Sequence, residues 1–98
     1  MSDDERKRYL DLLEATHKFP GEYPMTVIIQ NDSLVIAAVR AAIDAGLPQK
    51  LPDAAMDVVS SKGARYLSLR FMIRVPDAAT VLDLHARVKI VVGVVRVI

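Results

Sequence analysis

The chain offers few side chains of the kinds that perform catalysis, and their spacing matches no common catalytic or metal-binding arrangement. Its two histidines, His17 and His85, are too far apart in sequence to bind a metal ion from one turn of a helix. Ser60 and Ser61 have no His–Asp pair near them in sequence. Serines are common in turns for structural reasons, so we interpret these two as turn residues. The absence of cysteine excludes a disulfide framework, a thiolate metal site and a cysteine nucleophile. The sequence therefore predicts a non-enzymatic protein with no catalytic residue, no metal site and no cofactor.

One stretch has the composition of a nucleic-acid contact. Positions 62–67, with the sequence KGARYL, resemble a degenerate third-strand signature of RNA-recognition motifs, in which exposed aromatic rings stack on bases. Tyr66 supplies one ring, but the second stacking position is Ala64 and the first predicted strand has no aromatic residue in positions 25–30. A net charge of +1, from 13 basic and 12 acidic residues, provides little attraction for nucleic acid. Binding of single-stranded RNA is therefore an alternative and is not favoured.

Tyr66 and the residues after it lie on a predicted strand. From position 66 to position 75, apolar residues occupy every second place, which is typical of a strand with one buried face. The residues predicted to be buried are Leu67, Leu69, Phe71, Ile73 and Val75. Those predicted for the opposite face are Tyr66, Ser68, Arg70, Met72 and Arg74. Gly63 lies in the preceding turn, where a positive φ would suit glycine, so the pattern predicts a β-hairpin with its first strand at 54–61.

The other elements surround this hairpin. The sequence predicts a helix over 1–18, a strand over 23–30, a helix over 33–45, a helix after Pro76 and a last strand over 91–98. We expect an N-terminal helical extension, 1–18, followed by one domain, 19–98. The order helix and then βαββαβ predicts an α+β, ferredoxin-like fold, in which a four-stranded antiparallel sheet carries two helices on one face.

This fold would leave one sheet face without helices, and a mixed apolar and cationic face is a candidate binding surface. The residues predicted for it are Thr26, Ile28, Asp57, Val59, Tyr66, Ser68, Arg70, Met72, Arg74, Val94 and Arg96. On the second strand, Met56 and Val58 are predicted to point inward instead.

Two other families share the predicted topology. Acylphosphatases bind phosphate through a loop with glycines near the first strand, whereas positions 30–33 of this chain read QNDS. Regulatory ACT domains bind amino-acid effectors near a glycine that follows the first strand, and that glycine is absent here as well. Sensing of a small, amino-acid-like molecule is therefore a distant third hypothesis, although the fold itself can be ACT-like.

Three segments resemble the YbeD-like family of small bacterial proteins: FPGEY at 19–23, SSKGARY at 60–66 and VVRVI at 94–98. Members of this family are labelled lipoate regulators and form a domain family of unknown function. The resemblance begins at about Leu10 and implies an ACT-like ferredoxin fold, a bacterial cytoplasmic setting and no established enzyme activity. It also implies a candidate interaction surface on the shared turn and strand, at Lys62, Gly63, Tyr66, Arg70 and Arg74.

The sequence therefore favours a regulatory or protein-interaction module that acts through the uncovered sheet face or the hairpin turn. We expect an unidentified protein partner. A homodimer could form through a sheet face, an edge strand or the alanine-rich face of the helix at 33–45. The charged N-terminus does not resemble a signal peptide, and no apolar run approaches the ~20 residues that cross a bilayer. We therefore expect a cytoplasmic protein without a membrane partner.

Overall fold

A computed structural model describes all 98 residues and confirms the predicted ferredoxin-like arrangement. The elements in chain order are α1 (Asp3–Thr16), β1 (Gly21–Gln30), α2 (Ser33–Ala45), β2 (Met56–Ser60), β3 (Tyr66–Val75), α3 (Ala78–Lys89) and β4 (Val94–Val97). A short 3-10 turn, Asp53–Ala55, precedes β2. The four strands pair antiparallel in the order β2-β3-β1-β4, so the two long strands, β1 and β3, lie in the centre.

Side-chain caps determine where α2 and α3 begin. The Asp32 carboxylate accepts a hydrogen bond from the Leu34 backbone N–H at 2.8 Å. The Asp77 carboxylate accepts from both the hydroxyl and the backbone N–H of Thr80, at 2.7 and 2.8 Å. These two bonds, the hydroxyl bond first, lower the pKa of Asp77. Each cap stabilises its helix by about 1 kcal/mol.

The core lies between the two helices and one face of the sheet. It is entirely apolar, since no polar or charged side chain is buried. The alternation of β3 is confirmed at all five predicted positions, and every second residue of β1 from Met25 to Ile29 is buried in the same layer. The buried residues from β1 and the helices are Met25, Val27, Ile29, Val35, Val39, Ile43, Ala78, Val81, Leu84 and Val88.

One prediction about a strand residue is wrong, and another is confirmed in orientation but not in burial. Val58 lies opposite Leu69 on the helix side of the sheet, as predicted, but it is 47% exposed because β2 is an edge strand. Val94 packs against the core instead of lying on the uncovered face. The cause is a β-bulge, because the partner of Ile28 is Arg96 whereas the partner of Ile29 is Val94, which leaves one extra residue in β4.

The extension helix α1 contacts the domain only near its C-terminal end. None of its residues is fully buried, although Leu13 packs against the core and the helix contacts α3. Immediately after the helix, the imidazole of His17 lies edge-on to the Tyr23 ring, with 4.9 Å between the ring centroids. Tyr9 and Leu12, on the free part of α1, are at least half exposed.

Candidate functional site

The hairpin loop between β2 and β3 is closed by Ser61 and Tyr66. The Ser61 N–H donates to the Tyr66 carbonyl at 2.9 Å, and the Tyr66 N–H donates to Ser61 Oγ at 3.0 Å. Within the loop, both Gly63 (φ 85°) and Ala64 (φ 53°) adopt left-handed conformations. A methyl group at Gly63 would meet no atom within 4 Å, so its backbone conformation, and not lack of space, favours glycine there.

Asn31, immediately after β1, forms two hydrogen bonds to this loop. Its backbone N–H donates to the Arg65 carbonyl at 3.1 Å, and its side-chain Nδ2 donates to the Ala64 carbonyl at 2.7 Å. No local sequence pattern predicts these contacts, since the partners are more than thirty positions apart. An Asn next to a helix start is naturally interpreted as a cap, but Asp32 performs that role.

We define the open face as the sheet surface that no helix covers. By strand register it comprises Glu22, Pro24, Thr26, Ile28, Gln30, Asp57, Val59, Tyr66, Ser68, Arg70, Met72, Arg74 and Arg96. One row of neighbours crosses all four strands in the order Val59, Ser68, Ile28 and Arg96. The centre of the open face is therefore apolar or small, and an arginine lies at its β4 edge.

Arg70 lies in the next row, between Asp57 on β2 and Thr26 on β1. Despite this position, Arg70 forms no ion pair. The two ion pairs of the chain are Arg40–Asp53 and Arg87–Asp83, and both lie away from the open face. Its guanidinium is therefore available to an external carboxylate, which it could bind in a bidentate manner.

The structure brings three of the five candidate residues onto one face. Tyr66, Arg70 and Arg74 share the outer side of β3, and successive members of this series are about 13 Å apart at about 3.3 Å per residue. Lys62 and Gly63 are both exposed in the loop past the end of the sheet, so they do not belong to the open face. The candidate residues thus form a line along one strand and its turn, and no single pocket contains them.

Arg74 occupies the far end of this line. It lies opposite Glu22 and beyond the pairing of β2 with β3, which stops at Met56 and Phe71. Together with Met72 and the loop at 47–55, it lines a cleft of about 410 Å³. The Met72 side chain is 49% exposed there, which extends the apolar part of the open face toward the cleft.

The two histidines come close together around Tyr23, which the sequence did not predict. The ring centroids of Tyr23 and His85 are 6.2 Å apart, and His17 contacts the tyrosine as well. Burial raises the pKa of Tyr23 and lowers the pKa of His85. Because the phenol ring contacts both imidazoles, this cluster is an aromatic contact that connects α1, β1 and α3. No group of three metal-ligating side chains occurs in the chain.

Comparison with known proteins identifies the family. Residues 14–98 match the family described as "Protein of unknown function (DUF493)", which contains the YbeD-like proteins, and the chain therefore belongs to it. Searches of curated proteins and of solved structures returned no match. None of the helices is long and apolar enough to cross a membrane.

Proposed function

We propose that this DUF493 protein is a non-enzymatic protein-interaction module whose open face binds a partner surface with carboxylates around an apolar centre. The observation that carries the proposal is the position of Arg70, which lies without an ion pair between Asp57 and Thr26 and two residues before the exposed Met72. An arginine of this kind binds a partner carboxylate readily, because it need not first leave an internal partner.

The composition of the open face supports this proposal. Val59 is 41% exposed, Met72 is 49% exposed and Tyr66 is 39% exposed, all on the same sheet surface. Methionine, tyrosine and arginine are enriched in protein interfaces, where the apolar groups are buried and arginine forms directed contacts. Contiguous exposed apolar surface with a polar rim is a common property of interaction sites.

A regulatory role in a bacterial cytoplasm is part of the same proposal. It rests on the YbeD-like resemblance alone, since proteins of that family are labelled lipoate regulators. The partner could be a second copy of the chain, because β2 and the small side chains Ala37 and Ala41 of α2 are exposed as well. Sedimentation velocity at increasing protein concentration would detect such a homodimer directly.

Binding of single-stranded RNA is the second candidate, and one observation favours it. Tyr66 is exposed on the open face in line with Arg70, so its ring could stack on a base while the guanidinium contacts a phosphate. Against it, Tyr66 is the only aromatic side chain of the open face, whereas RNA-recognition motifs use two or three.

Affinity capture from a lysate of the native cells, with and without ribonuclease, separates the two candidates. We expect partner proteins to be retained after ribonuclease by the wild-type chain and lost in the double variant Arg70→Glu/Arg74→Glu. The matched control, Arg6→Glu/Arg8→Glu, changes the same charge on α1 and should retain them. Loss of every partner on ribonuclease treatment would overturn the protein-interaction proposal in favour of RNA.

A further inference from the structure

A second surface, at the β4 edge of the sheet, has the features of a peptide-binding groove and shares Arg96 with the open face. It lies between α3 and β4 and has a volume of about 360 Å³. His85 and Lys89 line it from the helix, and Val95, Arg96 and Val97 line it from the strand. Ala86, between the two helix residues, leaves the groove open because its side chain is small.

The outer edge of β4 has no strand partner. β4 pairs with β1 on one side only, and it is the last strand of the sheet. The Ile98 N–H donates to the Thr26 carbonyl at 2.8 Å, and the Thr26 N–H donates back at 3.2 Å. Since neighbouring residues of a strand direct their backbone groups to opposite sides, the N–H and C=O of Val97 point away from β1. They are therefore available to a further strand.

The charges around the groove are all of one sign. Lys89 and Arg96 lie on its two sides, no acidic residue lines it, and neither cation forms an ion pair. Arg87, two residues before Lys89 on α3, is already paired with Asp83 at 2.7 Å. An occupant that carries carboxylates would therefore gain two charge-assisted contacts without displacing any internal partner.

We propose that an extended acidic segment of another protein adds to β4 as a fifth strand. Its backbone pairs with the free edge at Val97, and its alternate side chains enter the groove beside His85 or lie over Arg96. Apolar side chains contact Val95 and Val97, and carboxylates bind Lys89 and Arg96. Strand addition of this type obtains affinity from main-chain hydrogen bonds and specificity from the alternate side chains.

Selection from a displayed library of random nine-residue peptides, with the full chain as bait, tests this proposal. We expect the enriched peptides to alternate Asp or Glu with Val or Ile and to lack proline. Backbone amide shifts on titration with a selected peptide should be largest at Val95, Val97 and Lys89. Failure to enrich any peptide, enrichment of neutral or basic peptides, or shifts centred on the open face would overturn the proposal.

Two matched comparisons determine whether strand pairing and charge both contribute. A selected peptide with N-methyl groups on alternate amides keeps its charge but loses ladder hydrogen bonds. We therefore expect its affinity to fall at least about tenfold. Lys89→Glu should weaken binding about tenfold, whereas Arg70→Glu on the open face should change it less than about twofold. Equal binding of the methylated peptide would contradict strand addition. These variants also separate the groove from the open face, because each changes only one of the two surfaces.

Discussion

The two faces of β3 differ in what surrounds their side chains. On the helix side, Leu69 and Ile73 are fully buried in the apolar core. On the open side, Arg70 and Met72 alternate with them but remain exposed, without ion pairs or helical cover. Because neighbouring residues point to opposite faces, substitutions one position apart should affect different properties, namely stability on one side and binding on the other.

The largest difference should appear between Leu69→Ala and Arg70→Ala. Removal of the buried leucine side chain leaves a cavity and should lower the free energy of unfolding by about 3 kcal/mol. The exposed arginine should change it by less than about 0.5 kcal/mol. Urea denaturation followed by circular dichroism measures both values. Similar losses in the two variants would contradict the separation of the two faces.

The glycines with positive φ extend the same comparison to the turns. A methyl group at Gly93 (φ 96°) would come within 2.5 Å of Cγ2 of Val35, whereas Gly63 (φ 85°) has open space around it. Gly63→Ala should cost about 1 kcal/mol from backbone conformation alone. Gly93→Ala should cost roughly 2 kcal/mol, because crowding against the core adds to it. Equal midpoints in thermal unfolding would show that crowding at Gly93 contributes nothing.

Substitutions at Asn31 measure how much its hydrogen bonds to the hairpin loop, beside the open face, contribute to stability. Asn31→Ala removes the 2.7 Å bond to the Ala64 carbonyl and should lower the unfolding free energy by about 1 kcal/mol. Asn31→Asp should lose it too, since a carboxylate cannot donate. The adjacent Gln30→Ala, whose side chain makes no hydrogen bond, is the control. Hydrogen exchange at the loop amides should accelerate in both Asn31 variants and stay unchanged in the control.

The smallest effect that we predict is a pH dependence from His85. Burial lowers its pKa in the folded chain, so the unfolded chain binds a proton more readily. The contribution of the neutral side chain to stability is complete above about pH 6.5 and is lost as the pH falls toward the lower, folded value. His85→Gln should remove this part of the acid-side loss in urea midpoints measured from pH 7.5 to 5. An unchanged slope in the variant would contradict the burial of the imidazole.

Local patterns predicted much of this fold and part of the candidate site. The alternation of β3 predicted all five buried residues, because strand periodicity depends only on neighbours in sequence. The bulge that turned Val94 inward and the exposure of Val58 depend on strand pairing and helix cover, which local patterns do not contain. The contact between Asn31 and the loop and the meeting of His17 with His85 around Tyr23 are long-range for the same reason.

Site-specific photo-crosslinking tests the central claim most directly. A benzophenone side chain at Met72 on the open face, and at Ala37 on the exposed side of α2 as the control, would be irradiated in lysate treated with ribonuclease. We predict that position 72 forms a crosslink to a discrete protein and that this product disappears in Arg70→Glu, while position 37 does not form it. The absence of a protein crosslink at position 72, or the same product from both positions, would contradict recognition through the open face.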